Sequence, residues 1–229
     1  MKRIGIVGGT GPESTVAYYQ HIIKAYYERF GDYAFPEMII YSVNFQRFVD
    51  LFQQARWDSV AEGVIQTLDR LRRAGADFGI LASNTLHIAF ERVVEHSPLP
   101  LLSIMDPAIE AIQHDRMDTV GLLGTIFTMS ESFYPSRLAE GGIRTLVPGD
   151  ADQQRIQKII GSELTMGEIR KESKDVLLRI IHGLKARGAR GIILGCTELP
   201  LILSEKESPL PLFDTTRLHA ESALNHALN

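Results

Sequence analysis

The chain has 229 residues, enough for one large domain or two small ones, and its net charge is −4 with no basic run. A nucleic-acid partner is therefore not expected. One cysteine excludes an internal disulfide, and the absence of a signal peptide or of an apolar run near ~20 residues predicts a cytoplasmic protein without a membrane contact.

The first half alternates predicted strands and helices. We expect strands over residues 4–7, 38–43 and 99–104 and one that ends at residue 81, and helices over residues 13–29, 57–73 and 86–96. The run Gly8-Gly9-Thr10-Gly11-Pro12 is a tight turn after the first strand, but its glycine spacing fits neither a dinucleotide fingerprint nor a phosphate loop. We interpret it as a small-anion site that includes Thr10.

Asn44 and Arg47 follow the second predicted strand. A guanidinium can hold both oxygens of a carboxylate, so this pair suits recognition of an acidic group. A solvated arginine at the start of a helix is the other interpretation of Arg47.

The second half repeats the pattern. Helices are predicted over residues 107–113, 153–160, 173–187 and the C-terminal stretch, and strands over residues 120–123, 145–148, 191–194 and 210–213. After the first of these strands, Thr125 and Thr128 can hydrogen-bond a carboxylate, or they are simple helix caps. The C-terminal helix is expected to return to the first half.

An internal duplication relates the two halves. Residues 75–85 (GADFGILASNT) align without a gap on residues 188–198 (GARGIILGCTE), which places Ser83 on Cys196. Residues 3–9 match 119–125, and residues 97–101 match 208–212, in the same order. Generic likeness among α/β strands is the alternative explanation. The duplication predicts an α/β fold of two pseudo-symmetric three-layer domains, 1–112 plus 212–229 and 113–211, each with a mostly parallel sheet and with the site in the cleft between them.

Ser83 and Cys196 each end a buried strand, where open α/β sheets bind ligands. Each is followed by polar residues at a predicted helix start, namely Asn84 and Thr85 in one half and Thr197 and Glu198 in the other. Two such groups facing one substrate from opposite sides suit the removal of a proton from one face of a carbon and its return to the other.

These residues resemble the aspartate/glutamate racemase family over the whole chain. The resemblance rests on five stretches: residues 8–15, 83–87, 123–125 with 133–134, 195–199, and 213–215 with His219. It implies a homodimeric isomerase that racemises an acidic amino acid without a cofactor or a metal.

The resemblance also implies roles for particular residues. Cys196 is the expected catalytic thiol, and Arg47 matches an arginine that binds the substrate's carboxylate. The family's first catalytic cysteine is replaced here by Ser83, as in the branch of bacterial L-preferring racemases that has a threonine there. Thr165 stands where some aspartate racemases have a lysine, so a lysine-assisted mechanism is not implied.

The expected chemistry of the two groups differs. A helix N-terminus lowers the pKa of a thiol, so Cys196 is expected to be a thiolate near neutral pH. Ser83 is too weak an acid to ionise there, and we expect it to deliver a proton, directly or through water. His87 lies four residues after Ser83 and is interpreted as a structural residue, with a helper role as the alternative.

Two other functions are compatible with a single catalytic cysteine. One is a decarboxylase of the arylmalonate type, which would require an apolar pocket in place of Arg47. The other is a non-catalytic protein that binds a dicarboxylate. A third interpretation takes Cys196 as a small buried residue with no chemical role.

Overall fold

The computed structural model describes all 229 residues and divides into two compact units. Unit 1 comprises Met1–Ile104 and Thr216–Asn229, and unit 2 comprises Met105–Thr215. The chain leaves unit 1 eight residues earlier than the sequence predicted, because the helix that starts at Met105 packs within unit 2. It returns to unit 1 four residues later than predicted. No helix has the length and apolar character that crossing a bilayer requires.

Unit 1 is a parallel sheet with the strand order β2-β1-β3-β4. Its strands are β1 (Ile4–Gly8), β2 (Met38–Ser42), β3 (Phe78–Leu81) and β4 (Leu101–Leu102). Its helices are α1 (Pro12–Phe30), α2 (Phe45–Gln53), α3 (Trp57–Arg73), α4 (Phe90–His96) and the last helix of the chain, Thr215–Leu228, with a 3₁₀ helix at Thr85–Ala89.

Unit 2 repeats this architecture with the parallel strand order β6-β5-β7-β8. Its strands are β5 (Thr119–Gly124), β6 (Arg144–Leu146), β7 (Gly191–Gly195) and β8 (Leu212–Asp214). Its helices are α5 (Met105–His114), α6 (Ile126–Ser130), α7 (Phe133–Glu140), α8 (Asp150–Ser162) and α9 (Lys171–Ala186), with two 3₁₀ helices at Leu164–Met166 and Leu199–Leu201. The last helix of the chain, Thr215–Leu228, is α10. The shared strand order confirms the predicted two-domain α/β fold.

The inner strands are buried on both faces, as parallel strands covered by helices must be. Every residue of β1, β3, β5 and β7 is buried. In unit 1, Ile4, Ile6 and Phe78 pack against Ala220 and Leu224 of α10. The C-terminal helix therefore completes the core of unit 1, as expected from the sequence.

Two helical segments differ from the sequence prediction. Helix α2 was missed, although Phe48 and Phe52 form its buried face at helical spacing and Asn44 caps its first turn. The helix predicted over residues 86–96 is divided into the 3₁₀ helix at Thr85–Ala89 and the α-helix α4. The reason lies in His87, whose side chain takes the carbonyl that an α-helix would use.

Gly9 allows the turn after β1 to pass directly over the chain that follows β2. It has φ +87, and a Cβ there would lie 2.6 Å from the Val43 amide nitrogen and 2.7 Å from the Val43 carbonyl oxygen. Its own amide donates to Thr15 Oγ1 at 2.8 Å, which ties the turn to the first turn of α1. Only glycine satisfies both the positive φ and the close backbone approach.

We expect Gly9→Ala to destabilise the protein by about 3 kcal/mol or more, because the left-handed conformation and the overlap with backbone atoms add together. Gly31→Ala is the matched control, since Gly31 has φ +70 at the end of α1 but has open space around its Cβ position. It should lose only about 1–2 kcal/mol. If both variants lost the same free energy of unfolding in urea, the close approach to Val43 would not contribute to the cost of Gly9→Ala.

Candidate active site

Ser83 lies just beyond the carboxyl end of β3, the position predicted for a functional group in unit 1. Its side chain is 93% buried by the fold, with 7% of the residue exposed, and its hydroxyl has no hydrogen-bond partner. Backbone pairing continues past the strand, since the Ala82 amide donates to the Val7 carbonyl at 2.9 Å. Ser83 thus lies at the carboxyl edge of the sheet, next to the end of β1.

Thr10 lies at the same edge, after the neighbouring strand β1. Its Oγ1 is buried and has no hydrogen-bond partner. A buried hydroxyl without a partner is costly, and a bound polar ligand would satisfy it. Because β1 and β3 are adjacent and parallel, Thr10 and Ser83 lie at the same edge of the sheet in unit 1, which is the candidate ligand-binding edge.

Asn84 and Thr85 continue from Ser83 into the 3₁₀ helix, and both are buried. The structure therefore brings four of the predicted residues of unit 1 to the ends of two neighbouring strands: Thr10, Ser83, Asn84 and Thr85. Asn44 and Arg47 lie one strand further out, after β2.

Asn44 and Arg47 line a cavity of about 170 Å³ between β2, α2 and α3. Asn44 Oδ1 accepts the Arg47 amide at 3.4 Å, so its side chain also acts as the cap of α2. Arg70, from the last turn of α3, lines the same cavity, and its guanidinium carbon lies 5.3 Å from the centre of the Tyr41 ring. Neither guanidinium has a carboxylate partner, and no acidic residue lines the cavity.

Arg70 is a residue that the sequence analysis missed. It lies in a helix with other arginines near its end, and no local pattern distinguishes it from Arg72 and Arg73, which pair with Asp69. Only the packing of α3 beside β2 brings it to Arg47.

In unit 2, Cys196 lies just beyond the carboxyl end of β7, the position equivalent to that of Ser83. Its Sγ donates to Glu198 Oε2 at 2.9 Å, and Thr197 Oγ1 donates to the same oxygen at 2.8 Å. Cys196 and Glu198 are both buried, with 6% and 5% exposure. Glu198, predicted as a substrate contact, is thus also the hydrogen-bond partner of the catalytic thiol candidate.

The expected thiolate is not what this environment favours. Burial raises the pKa of the Cys196 thiol well above its ordinary value, and the negative charge of Glu198 raises it further. The amides of Thr197 and Glu198 act in the opposite direction but are outweighed. The helix start predicted at Thr197 and Glu198 leads only into a three-residue 3₁₀ helix at Leu199–Leu201. The prediction of a depressed pKa was wrong, and Cys196 rests as a protonated thiol.

Thr125 and Thr128 follow β5, which is the neighbour of β7. Thr125 Oγ1 accepts the Thr128 amide at 3.3 Å, and the two hydroxyls lie 3.1 Å apart. Thr128 is completely buried against the backbone glycines Gly124 and Gly195. Thr128 therefore supports Thr125 next to Cys196, and Thr125 is the more accessible of the two.

Two further residues quoted for the resemblance hold the strand that carries Cys196. Thr215 donates its hydroxyl to the Leu194 carbonyl of β7 at 2.8 Å. Tyr134 is fully buried and hydrogen-bonds to Thr215. Their contribution to the site is structural.

His87 and His219 are the buried histidines of unit 1. His87 Nδ1 lies 2.9 Å from the Ser83 carbonyl oxygen, and its Nε2 lies 3.1 Å from the Ile104 amide nitrogen. His219 Nδ1 lies 2.7 Å from the Tyr18 hydroxyl. Burial lowers the pKa of His87 to about 4 and that of His219 to about 3, so both rings are neutral at physiological pH. The interpretation of His87 as a structural residue agrees with these contacts, since it does not touch the Ser83 hydroxyl.

The geometry of both strand ends can be compared with known proteins. The family model for Asp/Glu/Hydantoin racemase matches residues 7–223, nearly the whole chain. The chain belongs to this racemase family. Among curated relatives, the broad specificity amino-acid racemase RacX of Bacillus subtilis is 26% identical over 225 residues, covering 97% of this chain and 96% of the relative.

Solved structures agree with this assignment. The crystal structure of an aspartate racemase homologue from Pyrococcus horikoshii is 37% identical, covers both chains completely and superposes with a TM-score of 0.87. The aspartate racemase of Picrophilus torridus, at 24% identity and a TM-score of 0.80 over 99% of this chain and 94% of its own, shares the fold. The protein is thus an isomerase of the amino-acid racemase class.

Acid should destabilise the racemase through its two buried histidines. The folded state keeps His87 and His219 neutral, whereas the unfolded chain takes up protons below about pH 6.5, so stability falls as the pH drops from about 6.5 towards 4. Together the two groups should cost roughly 3–4 kcal/mol between pH 7 and pH 5.

Urea unfolding at several pH values tests this expectation. His219→Gln should remove about half of the pH-dependent loss, while His182→Gln, which changes an exposed histidine, should leave the loss unchanged. An unaltered slope in His219→Gln would mean that His219 is not neutral in the folded protein.

Proposed function

We propose that the protein racemises aspartate and/or glutamate by removing the α-proton on one face and returning a proton on the opposite face, without a cofactor. The observation that carries this proposal is the buried pair of Cys196 and Glu198, whose Sγ and Oε2 lie 2.9 Å apart at the carboxyl end of β7. A thiol next to a carboxylate in a water-poor site is an acid and base pair that shares one proton.

The pair generates the base when it is needed. In the resting state the proton is on sulfur and the charge is on Glu198. When the proton moves to Glu198, the carboxyl becomes neutral and no longer opposes the thiolate, and the amides of Thr197 and Glu198 that act on the sulfur stabilise its charge. The Cys196 thiolate then takes the α-proton of the substrate.

Ser83 is the proposed donor on the other face. It occupies in unit 1 the position that Cys196 occupies in unit 2, and its hydroxyl makes no hydrogen bond that a substrate would have to break. A serine is a much weaker acid than a thiol, so delivery from Ser83 to the carbanion is expected to be the slower proton transfer. The Ser83 oxygen then regains a proton from water, and the hydroxide that this leaves takes up the extra proton of the Cys196 and Glu198 pair, which restores the resting state.

Recognition of an acidic side chain rests on Arg47 and Arg70. Both guanidiniums line the cavity after β2, and Ser42, Asn44 and Gln66 add hydrogen-bonding groups there. A bidentate contact from an arginine to a carboxylate is among the stronger polar interactions in proteins. The broad specificity stated in the name of RacX makes neutral amino acids the second class of substrate to examine.

Thermodynamics limits what such an enzyme can show. The two enantiomers have equal free energy, so the equilibrium constant is one and kcat/KM must be equal in both directions. A slow donor such as Ser83 can make kcat differ between the enantiomers, but KM must then differ by the same factor.

Proton NMR in D₂O tests the function directly. We expect the α-proton signal of L- and D-aspartate or of L- and D-glutamate to disappear in the presence of the protein, with inversion measured in parallel by chiral chromatography. Alanine and methionine serve as the neutral comparison, and Cys196→Ala should lose the exchange completely while remaining folded.

Exchange that persists in Cys196→Ala would remove Cys196 from the mechanism. Exchange with alanine or methionine as fast as with the acidic amino acids would contradict the proposed substrate class. No exchange from any amino acid would overturn the proposed racemisation.

Glu198→Gln should separate the ionisation of the thiol from catalysis. Removing the carboxylate charge lowers the pKa of Cys196, so alkylation by iodoacetamide at pH 8 should become faster. Exchange of the α-proton should nevertheless fall by roughly 10²-fold or more, because the amide cannot accept the thiol proton.

Glu205→Gln is the control, since Glu205 is exposed in the same region of the chain. It should change neither rate. If Glu198→Gln retained the wild-type exchange rate, Glu198 would have no part in proton transfer.

A further inference from the structure

The Ser83 turn contains a buried histidine that none of the proposed proton transfers uses. His87 is only 2% exposed, and its ring lies against Phe90 with the centres 4.8 Å apart and the planes 18° from parallel. A polar ring held in this way in a core must make hydrogen bonds on both nitrogens.

The partners of His87 determine its tautomer. The Ser83 carbonyl oxygen, 2.9 Å from Nδ1, can only accept, so Nδ1 carries the proton. The Ile104 amide, 3.1 Å from Nε2, can only donate, so Nε2 is the acceptor. His87 is therefore a neutral ring that joins the residue after β3 to Ile104, the last residue of unit 1 before the chain crosses to unit 2.

The contact with Ser83 changes the local backbone. In an α-helix the Ser83 carbonyl would accept the His87 amide. Here the His87 side chain occupies that carbonyl, and the His87 amide bonds to Asn84 O at 3.0 Å instead, which gives the 3₁₀ turn. The direction of the Ser83 Cα–Cβ bond is thus fixed between the pairing of Ala82 with Val7 on one side and the bond from His87 on the other.

We propose that His87 is a positioning residue for the second proton transfer: its Nδ1–H holds the Ser83 carbonyl and so aims the Ser83 hydroxyl at the substrate. The inference rests on the proposed function, because it takes Ser83 as the proton donor on the face opposite Cys196. It assigns no proton transfer to His87 itself, whose nitrogens are both occupied by backbone groups.

Two substitutions at position 87 each remove one of the two hydrogen bonds and keep the other. In His87→Asn the amide nitrogen can take the place of Nδ1 and keep the bond to the Ser83 carbonyl, while the bond from Ile104 is lost. In His87→Gln the longer side chain can place its oxygen near the position of Nε2 and keep the Ile104 amide satisfied, while the bond to Ser83 is lost. The pair is matched in polarity and in the absence of a titrating ring.

The measurement is the ratio of retention to inversion when α-deuterium is incorporated in D₂O. The substrate is the enantiomer whose α-proton Cys196 removes, so that return of deuterium from Cys196 gives retention and delivery from Ser83 gives inversion. We expect His87→Gln to raise this ratio at least ~10-fold while keeping exchange on the Cys196 face, because a small misplacement of a reacting group costs about that much or more. His87→Asn should stay near the wild-type ratio.

The other outcomes overturn the proposal in different ways. An unchanged ratio in His87→Gln, with wild-type protein that exchanges and inverts, would show that Ser83 does not depend on His87. A parallel loss of exchange and inversion in both folded variants would reduce His87 to a structural residue. No exchange by the wild-type protein would overturn the racemisation itself, and the role of His87 with it.

A second measurement needs no variant. In long-range ¹H–¹⁵N NMR spectra of the wild-type protein with labelled histidine at pH 7, His87 should show a protonated Nδ1 and a bare Nε2. A signal from the opposite tautomer would contradict the bond to the Ser83 carbonyl and would overturn the proposal even if both variants failed to fold.

Discussion

The structure depends on burying two four-stranded parallel sheets on both faces. Strands β1, β3, β5 and β7 have no exposed face on which to place a polar side chain, so polar groups are confined to the strand ends. At the carboxyl ends, the chain turns from strand to helix and exposes backbone and side-chain polar groups together. The duplication applies this constraint twice, and it places Ser83 and Cys196 at equivalent ends.

The two ends solve the problem of buried polarity differently. Around Cys196, a carboxylate satisfies two neighbouring donors and at the same time raises the pKa of the thiol. At Ser83, the His87 ring donates a hydrogen bond to the backbone carbonyl, and the Ser83 hydroxyl has no hydrogen-bond partner. The proposed proton exchange within the Cys196 and Glu198 pair rests on the first arrangement, and the proposed positioning of Ser83 rests on the second.

Two buried neutral histidines connect the chain around the Ser83 turn through hydrogen bonds. His87 and His219 lie with their ring centres 6.2 Å apart, and each uses both nitrogens on fixed partners. Such a network specifies one conformation of the turn as long as the rings remain neutral. The same burial lowers the pKa of both rings, so we expect acid to destabilise unit 1 through these side chains.

The amino-acid sequence by itself determined the fold class, the duplication and the family, because these follow from apolar periodicity and from motifs of consecutive residues. It also placed Ser83, Cys196, Thr10 and Thr125 at strand ends, since a strand end is a local property of the chain. Helix α2 was equally readable from the spacing of Phe48 and Phe52.

Tertiary structure alone decided the chemistry of these groups. The pKa of Cys196 depends on burial and on the orientation of Glu198, neither of which is visible in the order of residues. Arg47 and Arg70 line one cavity only because α3 packs beside β2, and the tautomer of His87 requires Ile104, seventeen residues away, to return to the Ser83 turn. Electrostatic environment and hydrogen-bond direction are properties of distances in space, so a sequence read locally does not contain them.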